Sequence, residues 1–166
     1  MSVHIERTLV LLKPDAVQRG IMGKVITRFE DAGLKIVALK FAQADETKAL
    51  EHYNEEIAER SGEHIRKRAV KLLLLGPVLA MVIEGINAIE NVRKMAGTTE
   101  PKSAAPGTIR GDFSHVSYGR CDDKDIGLLN IVHASGDKKY AEKEINIWFT
   151  PEEIFEYKSV HEIHTM

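Results

Sequence analysis

Four short apolar runs separate stretches with helical spacing. Thr8-Leu9-Val10-Leu11-Leu12 reads as a buried strand that ends at Lys13-Pro14-Asp15, where proline cannot extend a ladder. From Gly20 to Ala32 the apolar positions Ile21, Val25, Ile26 and Phe29 recur at helical spacing, with Gly33 as a stop. Leu34 to Ala42 predicts a second strand. Leu34, Ile36 and Ala38 lie on one face and Val37, Leu39 and Phe41 on the other, and both faces read as largely buried. Asp45 or Thr47 caps a helix to about Glu59; Ser61 and Gly62 punctuate it, and a basic helix follows. The Arg66-Lys67-Arg68 run of that helix reads as a solvated face.

Pro77 to Ile83 predicts the third strand, after which Asn87 caps a helix reaching Met95 that Gly97 ends. Thr98 to Gly127 is rich in Gly, Pro, Ser and charge and weak in periodicity, so it reads as a long loop. Leu128-Leu129-Asn130-Ile131-Val132 predicts the fourth strand. Ser135 and Asp137 are natural caps for the helical pattern that follows, read over Glu142 to Phe149. A polar tail runs to Met166 and includes His161 and His164, read as tail rather than metal ligands.

This order is β-α-β, extra helices, β-α-β, then helix. It fits an α+β ferredoxin-like βαββαβ fold, a four-stranded antiparallel sheet with helices on one face and added helices. A doubly wound parallel α/β sheet fits the spacing too, so element order leaves both open.

Composition narrows the function. The 166 residues suit one domain spanning 1-166, and 43% hydrophobic with 29% charged residues describes a globular protein. A net charge of −2 speaks against nucleic acid as the default partner. Cys121 is the only cysteine, so no intrachain disulfide framework exists. The N-terminus has no apolar signal region, and the apolar segment from Leu72 to Ile83 is broken by Gly76-Pro77 and too short for a bilayer. The expectation is a cytoplasmic protein with no membrane contact.

Candidate chemistry clusters at the ends of these elements. His133 falls where an apolar strand gives way to a polar helix, and Glu144 follows eleven residues later, where it could orient the ring. A neutral imidazole so held could attack phosphorus; a packed or solvent-facing histidine is the plain alternative. Lys13 follows the first strand, Arg93 lies on the helix after the third, and Thr99, Lys102 and Arg110 lie in the long loop. Any one of these cations could be a surface charge. Arg110, however, sits between Ile109 and Gly111 in a Gly-rich turn, and its planar fork suits phosphate. No Gly-x-x-x-x-Gly-Lys-[Ser/Thr] segment occurs, so a P-loop is excluded and a phosphate cradle would be built from side chains.

Five collinear motifs together resemble the nucleoside diphosphate kinases. They are Thr8-Leu9-Val10-Leu11-Leu12-Lys13-Pro14-Asp15-Ala16-Val17-Gln18-Arg19-Gly20, Gly76-Pro77-Val78-Leu79-Ala80-Met81-Val82, Pro106-Gly107-Thr108-Ile109-Arg110-Gly111-Asp112-Phe113, Asn130-Ile131-Val132-His133-Ala134-Ser135 and Ala141-Glu142-Lys143-Glu144-Ile145. The resemblance implies ping-pong transfer of a γ-phosphoryl group from a nucleoside triphosphate to a nucleoside diphosphate through phosphohistidine. It implies His133 as nucleophile, Glu144 as its orienting carboxylate, and Lys13, Arg93, Thr99 and Arg110 as phosphate ligands. It further implies Asn130 at the sugar hydroxyl, and Tyr53 and Ser135 beside the nucleophile. Mg2+ is implied as a bridge between nucleotide phosphates without dedicated protein ligands. A homo-oligomer is implied as well, a hexamer first and a tetramer or dimer otherwise.

The chain also departs from that pattern. The phenylalanine pair that includes the family's base-stacking residue is missing, and Ile65 or His64 takes roughly its place. Aromatic stacking is worth about 1–3 kcal/mol per base, so an aliphatic clamp would weaken or broaden base recognition. His115 to Gly127 is an insertion carrying Tyr118, Arg120, Cys121 and three aspartates. It reads as a lid, a subunit contact or a metal site with His115, or else as a loop elaboration. Gly136 stands where the family often has aspartate, and Asp137 takes the cap. Tyr140, Trp148 and Phe149 read as core or subunit contact.

Overall fold

Leu9 and Leu11 are fully buried among one set of side chains, and Val10 and Leu12 among another, so the first strand must be covered on both sides. The computed structural model, which describes residues 4–160 and 162–165, supplies that cover. The elements begin with β1 (Ile5–Leu12), α1 (Pro14–Gln18), α2 (Met22–Asp31), β2 (Lys35–Ala42), α3 (Glu46–His52), α4 (Glu55–Ser61), α5 (Glu63–Leu73) and β3 (Val78–Ile86). They continue with α6 (Ala88–Ala96), α7 (Ile109–Phe113), α8 (Tyr118–Lys124), β4 (Val132–Ala134), α9 (Lys138–Trp148) and α10 (Glu162–Thr165).

β1 pairs antiparallel with β3 and with β4, and β3 pairs antiparallel with β2, giving the order β2-β3-β1-β4. This is the expected four-stranded antiparallel sheet, and these pairings exclude the parallel alternative. The expectation of helices on one face needs correction. Val25 and Phe29 of α2 and Val92 of α6 pack on one face with Val10, Leu12, Met81 and Ile83. Leu73 of α5 and Ile145 and Trp148 of α9 pack on the other with Leu9, Leu11, Ala80 and Val82. Two covered faces explain why β1 and β3 are continuous apolar runs rather than alternating ones.

Three further boundaries differ from expectation. The fourth strand is Val132–Ala134, not 128–132, because Ile131 has a left-handed φ of 71° that cannot continue a strand. β2 is an edge strand with a bulge between Ile36 and Ala38, and its far half leaves Leu39 50% and Phe41 56% exposed. The segment read as one long loop holds a 3-10 turn at Pro101–Ser103 and helices α7 and α8. Thr108 caps α7 and Ser117 caps α8 through their hydroxyls, local signals that the Gly- and Pro-rich surroundings obscured.

The Arg66-Lys67-Arg68 run is also not uniformly solvated. Arg66 donates to the Tyr53 carbonyl at 2.8 Å, and Arg68 pairs with Asp122 and Asp125. Trp148 and Phe149 are core, while Tyr140 donates its hydroxyl to Glu56 at 2.6 Å. Of the tail histidines, His161 lies outside the described residues and His164 lies on α10. Among the described residues no helix is long and apolar enough to cross a membrane.

Candidate active site

Two segments distant in sequence interlock to build the site. The Lys13 backbone N–H donates to the Ile131 carbonyl at 2.9 Å, and the buried Asp15 carboxylate accepts the Ile131 N–H at 2.9 Å. These bonds hold a β-branched residue in the left-handed region, a conformation costing about 1–3 kcal/mol that persists only where the surroundings impose it. The turn aims the residues on either side of it. Before it, Asn130 accepts from Lys13 Nζ at 2.5 Å and donates from Nδ2 to the Thr99 carbonyl at 2.8 Å. After it, His133 pairs with Leu11 in the β4–β1 register, inside the strand rather than beyond its end.

His133 Nε2 lies 2.8 Å from Glu144 Oε2, the carboxylate projecting from α9. Burial would push the Glu144 carboxyl up, but the His133 ring, His52 and the Ser135 hydroxyl outweigh it and hold the group down at about 2. An ionised Glu144 can only accept, so Nε2 carries a ring proton, and in the neutral ring the lone pair falls on Nδ1. Ser135 does not line the cleft. It is fully buried, donates to Glu144 Oε2 at 2.6 Å and accepts the Leu9 N–H at 3.3 Å, so it bears on His133 through Glu144. The capping role falls to Asp137, whose carboxylate accepts the Tyr140 N–H at 2.9 Å.

The cations meet in the same cleft, of about 730 Å3. Lys13, Tyr53, Ile65, Arg93, Thr99, Arg110, Asn130, His133 and Glu144 all line it; Ser135 stands behind, and Lys102 and His64, also named from sequence, do not line it. Arg110, on α7, is aimed by donation to the Gly97 and Val132 carbonyls, both at 2.7 Å. Gly111 permits this turn, since a Cβ there would come 2.1 Å from the Ala105 carbonyl oxygen. Neither Lys13 nor Arg110 pairs with a carboxylate among the described residues; their partners are carbonyl and amide oxygens. Burial lowers the Lys13 ammonium to about 8, and burial together with the nearby Arg93 lowers Arg110 to about 10. Buried positive charge without an anion is costly, and an anion entering the cleft relieves that cost.

Sequence reasoning missed His52, for which no motif gives a signal. It is buried, packs edge-on to His133 with ring centroids 4.4 Å apart, and accepts the Trp148 indole N–H at 3.4 Å. Burial and the neighbouring His133 push it down to about 3, so it is neutral. With Nδ1 taken by Trp148, the proton sits on Nε2, which has no partner among the described residues. The donor atoms of His52, His133 and Glu144 converge within 4.8 Å. A metal on His52 Nε2 would have to displace the proton that the Trp148 bond fixes there, so His52 serves as a packed support for His133.

The chain is similar to known proteins over most of its length. The family model described as nucleoside diphosphate kinase matches residues 6–154. A nucleoside diphosphate kinase of Pyrococcus horikoshii is 50% identical over 92% of this chain and 90% of its own length. One from Borreliella burgdorferi is 44% identical over 93% of each. A solved structure, a transition-state mimic of the Borrelia burgdorferi enzyme with bound vanadate and ADP, superposes with a TM-score of 0.97 at 43% identity, covering 99% of this chain and 98% of that one. With the family model covering most of its length and relatives near half-identical, the chain belongs to the nucleoside diphosphate kinase family.

Proposed function

We propose that His133 carries the phosphoryl group in the family's reaction, with residues 1-166 acting as one catalytic unit. The reaction moves the γ-phosphoryl of a nucleoside triphosphate to a nucleoside diphosphate. The observation that carries this assignment is a histidine whose Nε2 is held by Glu144, so that Nδ1 is the nitrogen left to react, in a cleft where Lys13 and Arg110 have no carboxylate partner among the described residues. The Borrelia burgdorferi complex with vanadate and ADP, which superposes on nearly the whole chain, supports the same reading.

Phosphoryl transfer needs in-line placement and neutralised oxygens more than covalent chemistry from the protein. In our reading Lys13, Arg93, Thr99 and Arg110 take the phosphates, Asn130 the sugar hydroxyl, and Tyr53 the space beside His133. Nδ1 attacks the γ-phosphorus, the bond to the diphosphate's bridging oxygen breaks, and the diphosphate leaves with that electron pair. The second diphosphate then reverses these steps. Glu144 and Ser135 stay in place throughout and keep the proton on Nε2. Ile65, half-buried on α5, lines the cleft.

Mg2+ fits as part of the nucleotide substrate. Of the carboxylates lining the cleft, Glu144 is bound to His133 and Ser135, Asp122 to Arg68, and Asp137 to the α9 N-terminus. That donor set suits an ion held by phosphate oxygens and water, where it neutralises charge on the transferring group. A lone buried Cys121 thiol suits the cytoplasm expected from the sequence.

Initial rates measured against both substrates test the two-step route. Plots at several fixed diphosphate concentrations should be parallel; intersecting lines would mean direct transfer in a ternary complex.

Nucleotides as partners follow from the site, and a homo-oligomer from β2. This edge strand presents Leu39 and Phe41 to solvent, apolar side chains on an unpaired edge that a second copy would cover. A hexamer is the favoured state, with tetramer or dimer as alternatives. Light scattering should show an assembly for the wild type and a shift to smaller species for Phe41→Lys. A monomeric wild type would end the oligomer reading.

A further inference from the structure

We propose that α8 forms the base-binding wall of the cleft and that Tyr118 is the ring on which the nucleobase stacks. This rests on reading the cleft as the nucleotide site and deepens it. One end of the cleft is cationic, with Lys13, Arg93 and Arg110 around His133. The other lies between α5, which contributes Ile65, Ala69 and Leu72, and the α8 segment, which contributes Tyr118, Cys121 and Ile126. A phosphate tail at the first end therefore leaves the base to the α5 and α8 side chains, where the charged Arg68 and Asp122 that also line the cleft are paired with each other.

The α8 wall is fixed rather than free to swing. Arg68 on α5 binds Asp122 at 2.6 Å and Asp125 at 2.8 Å. The chain then meets α5 at Gly127, where a Cβ would come 2.6 Å from the Arg68 carbonyl oxygen and 2.8 Å from Leu72 Cβ. On the opposite side the Tyr118 N–H donates to Glu100 at 2.9 Å, and the Lys102 N–H donates to the Val116 carbonyl at 3.1 Å. Cys121 is buried beneath.

Three tyrosines line the cleft, and two are committed elsewhere. Tyr53 is buried beside His52 and His133, and Tyr140 is tied to Glu56. Tyr118 lines the cleft and is 47% exposed. An aromatic ring thus remains available in the cleft lining. It shares the cleft lining with aliphatic α5 side chains, where the sequence alone suggested a clamp without an aromatic member. Stacking is sequence-tolerant because every base has a π-face, so this wall would accept purines and pyrimidines alike.

A baseless acceptor isolates this contribution. The full-length enzyme is charged with ATP, and discharge is followed onto ADP, GDP and ribose 5-diphosphate. Tyr118→Ala should raise KM for ADP and GDP about 5- to 150-fold, the range expected for loss of one stacking contact. Discharge onto ribose 5-diphosphate should be unchanged, and Tyr118→Phe should match the wild type with all three acceptors. Unchanged KM for ADP and GDP in Tyr118→Ala overturns the proposal. So does equal impairment with the baseless acceptor, which would mean that α8 merely holds the cleft's shape. A wild-type enzyme that cannot be charged by ATP overturns the nucleotide reading and the clamp together.

Discussion

His133→Ala should lower kcat to on the order of 10−5 of wild type or less while the protein remains folded and still binds nucleotide. Removing a nucleophile from a covalent mechanism costs about 10⁶ in kcat in well-studied cases, because the remaining groups cannot supply the missing bond. His133 is only partly buried and sits in a three-residue strand, so alanine leaves the sheet pairing with β1 intact. The cations assigned to phosphate in the proposed function are anchored independently of the ring, Lys13 by Asn130 and Arg110 by the Gly97 and Val132 carbonyls. Nucleotide affinity should therefore change by less than about tenfold, and calorimetric titration with ADP would check it. Loss of affinity in step with loss of rate would mean that His133 binds rather than reacts.

The second large effect concerns Lys13. Lys13→Met should reduce kcat/KM by about 10²–10³, the cost of deleting one preorganised group at a developing charge. The wild-type enzyme should also lose kcat/KM as pH rises through about 8, where burial places the Lys13 ammonium of the free enzyme. The direction follows from charge: the protonated lysine attracts the polyphosphate, and deprotonation removes that attraction. Glu144, held at about 2, stays ionised over this range, and Tyr53, pushed upward by burial, stays neutral. Neither adds a limb to the profile near neutrality. Lys13→Arg keeps its charge at every accessible pH, so it should flatten the alkaline fall even if a planar fork fits the site less well. Measuring kcat/KM between pH 6.5 and 9.5 for the three proteins checks this. A wild-type profile flat through pH 9 would contradict the assignment.

The parts legible in the sequence were those fixed by local chemistry. Continuous apolar runs marked β1 and β3, and motif residues such as Lys13, Arg110 and His133 could be named because charged groups beside Gly, Pro or strand ends carry a local signal. What was not legible depended on partners far along the chain. The left-handed turn at Ile131 is imposed by Asp15, 116 residues away, so 128–132 read as an uninterrupted strand. Ser135 read as a helix cap because its spacing allows one, yet Glu144 and the β1 backbone claim its hydroxyl. His52 had no signal because its role consists of packing against His133 and Trp148. The helix α8 hid in a polar stretch because capping and the Arg68 ion pairs, not an apolar stripe, hold it.

Between the two half-reactions, phosphate should rest covalently on His133. Incubation with γ-labelled ATP and magnesium, followed by removal of nucleotide, tests it most directly. One acid-labile, base-stable label per chain is predicted, discharged completely by GDP and missing from His133→Ala. A label that survives in His133→Ala, or a wild-type chain that takes up none, would contradict it.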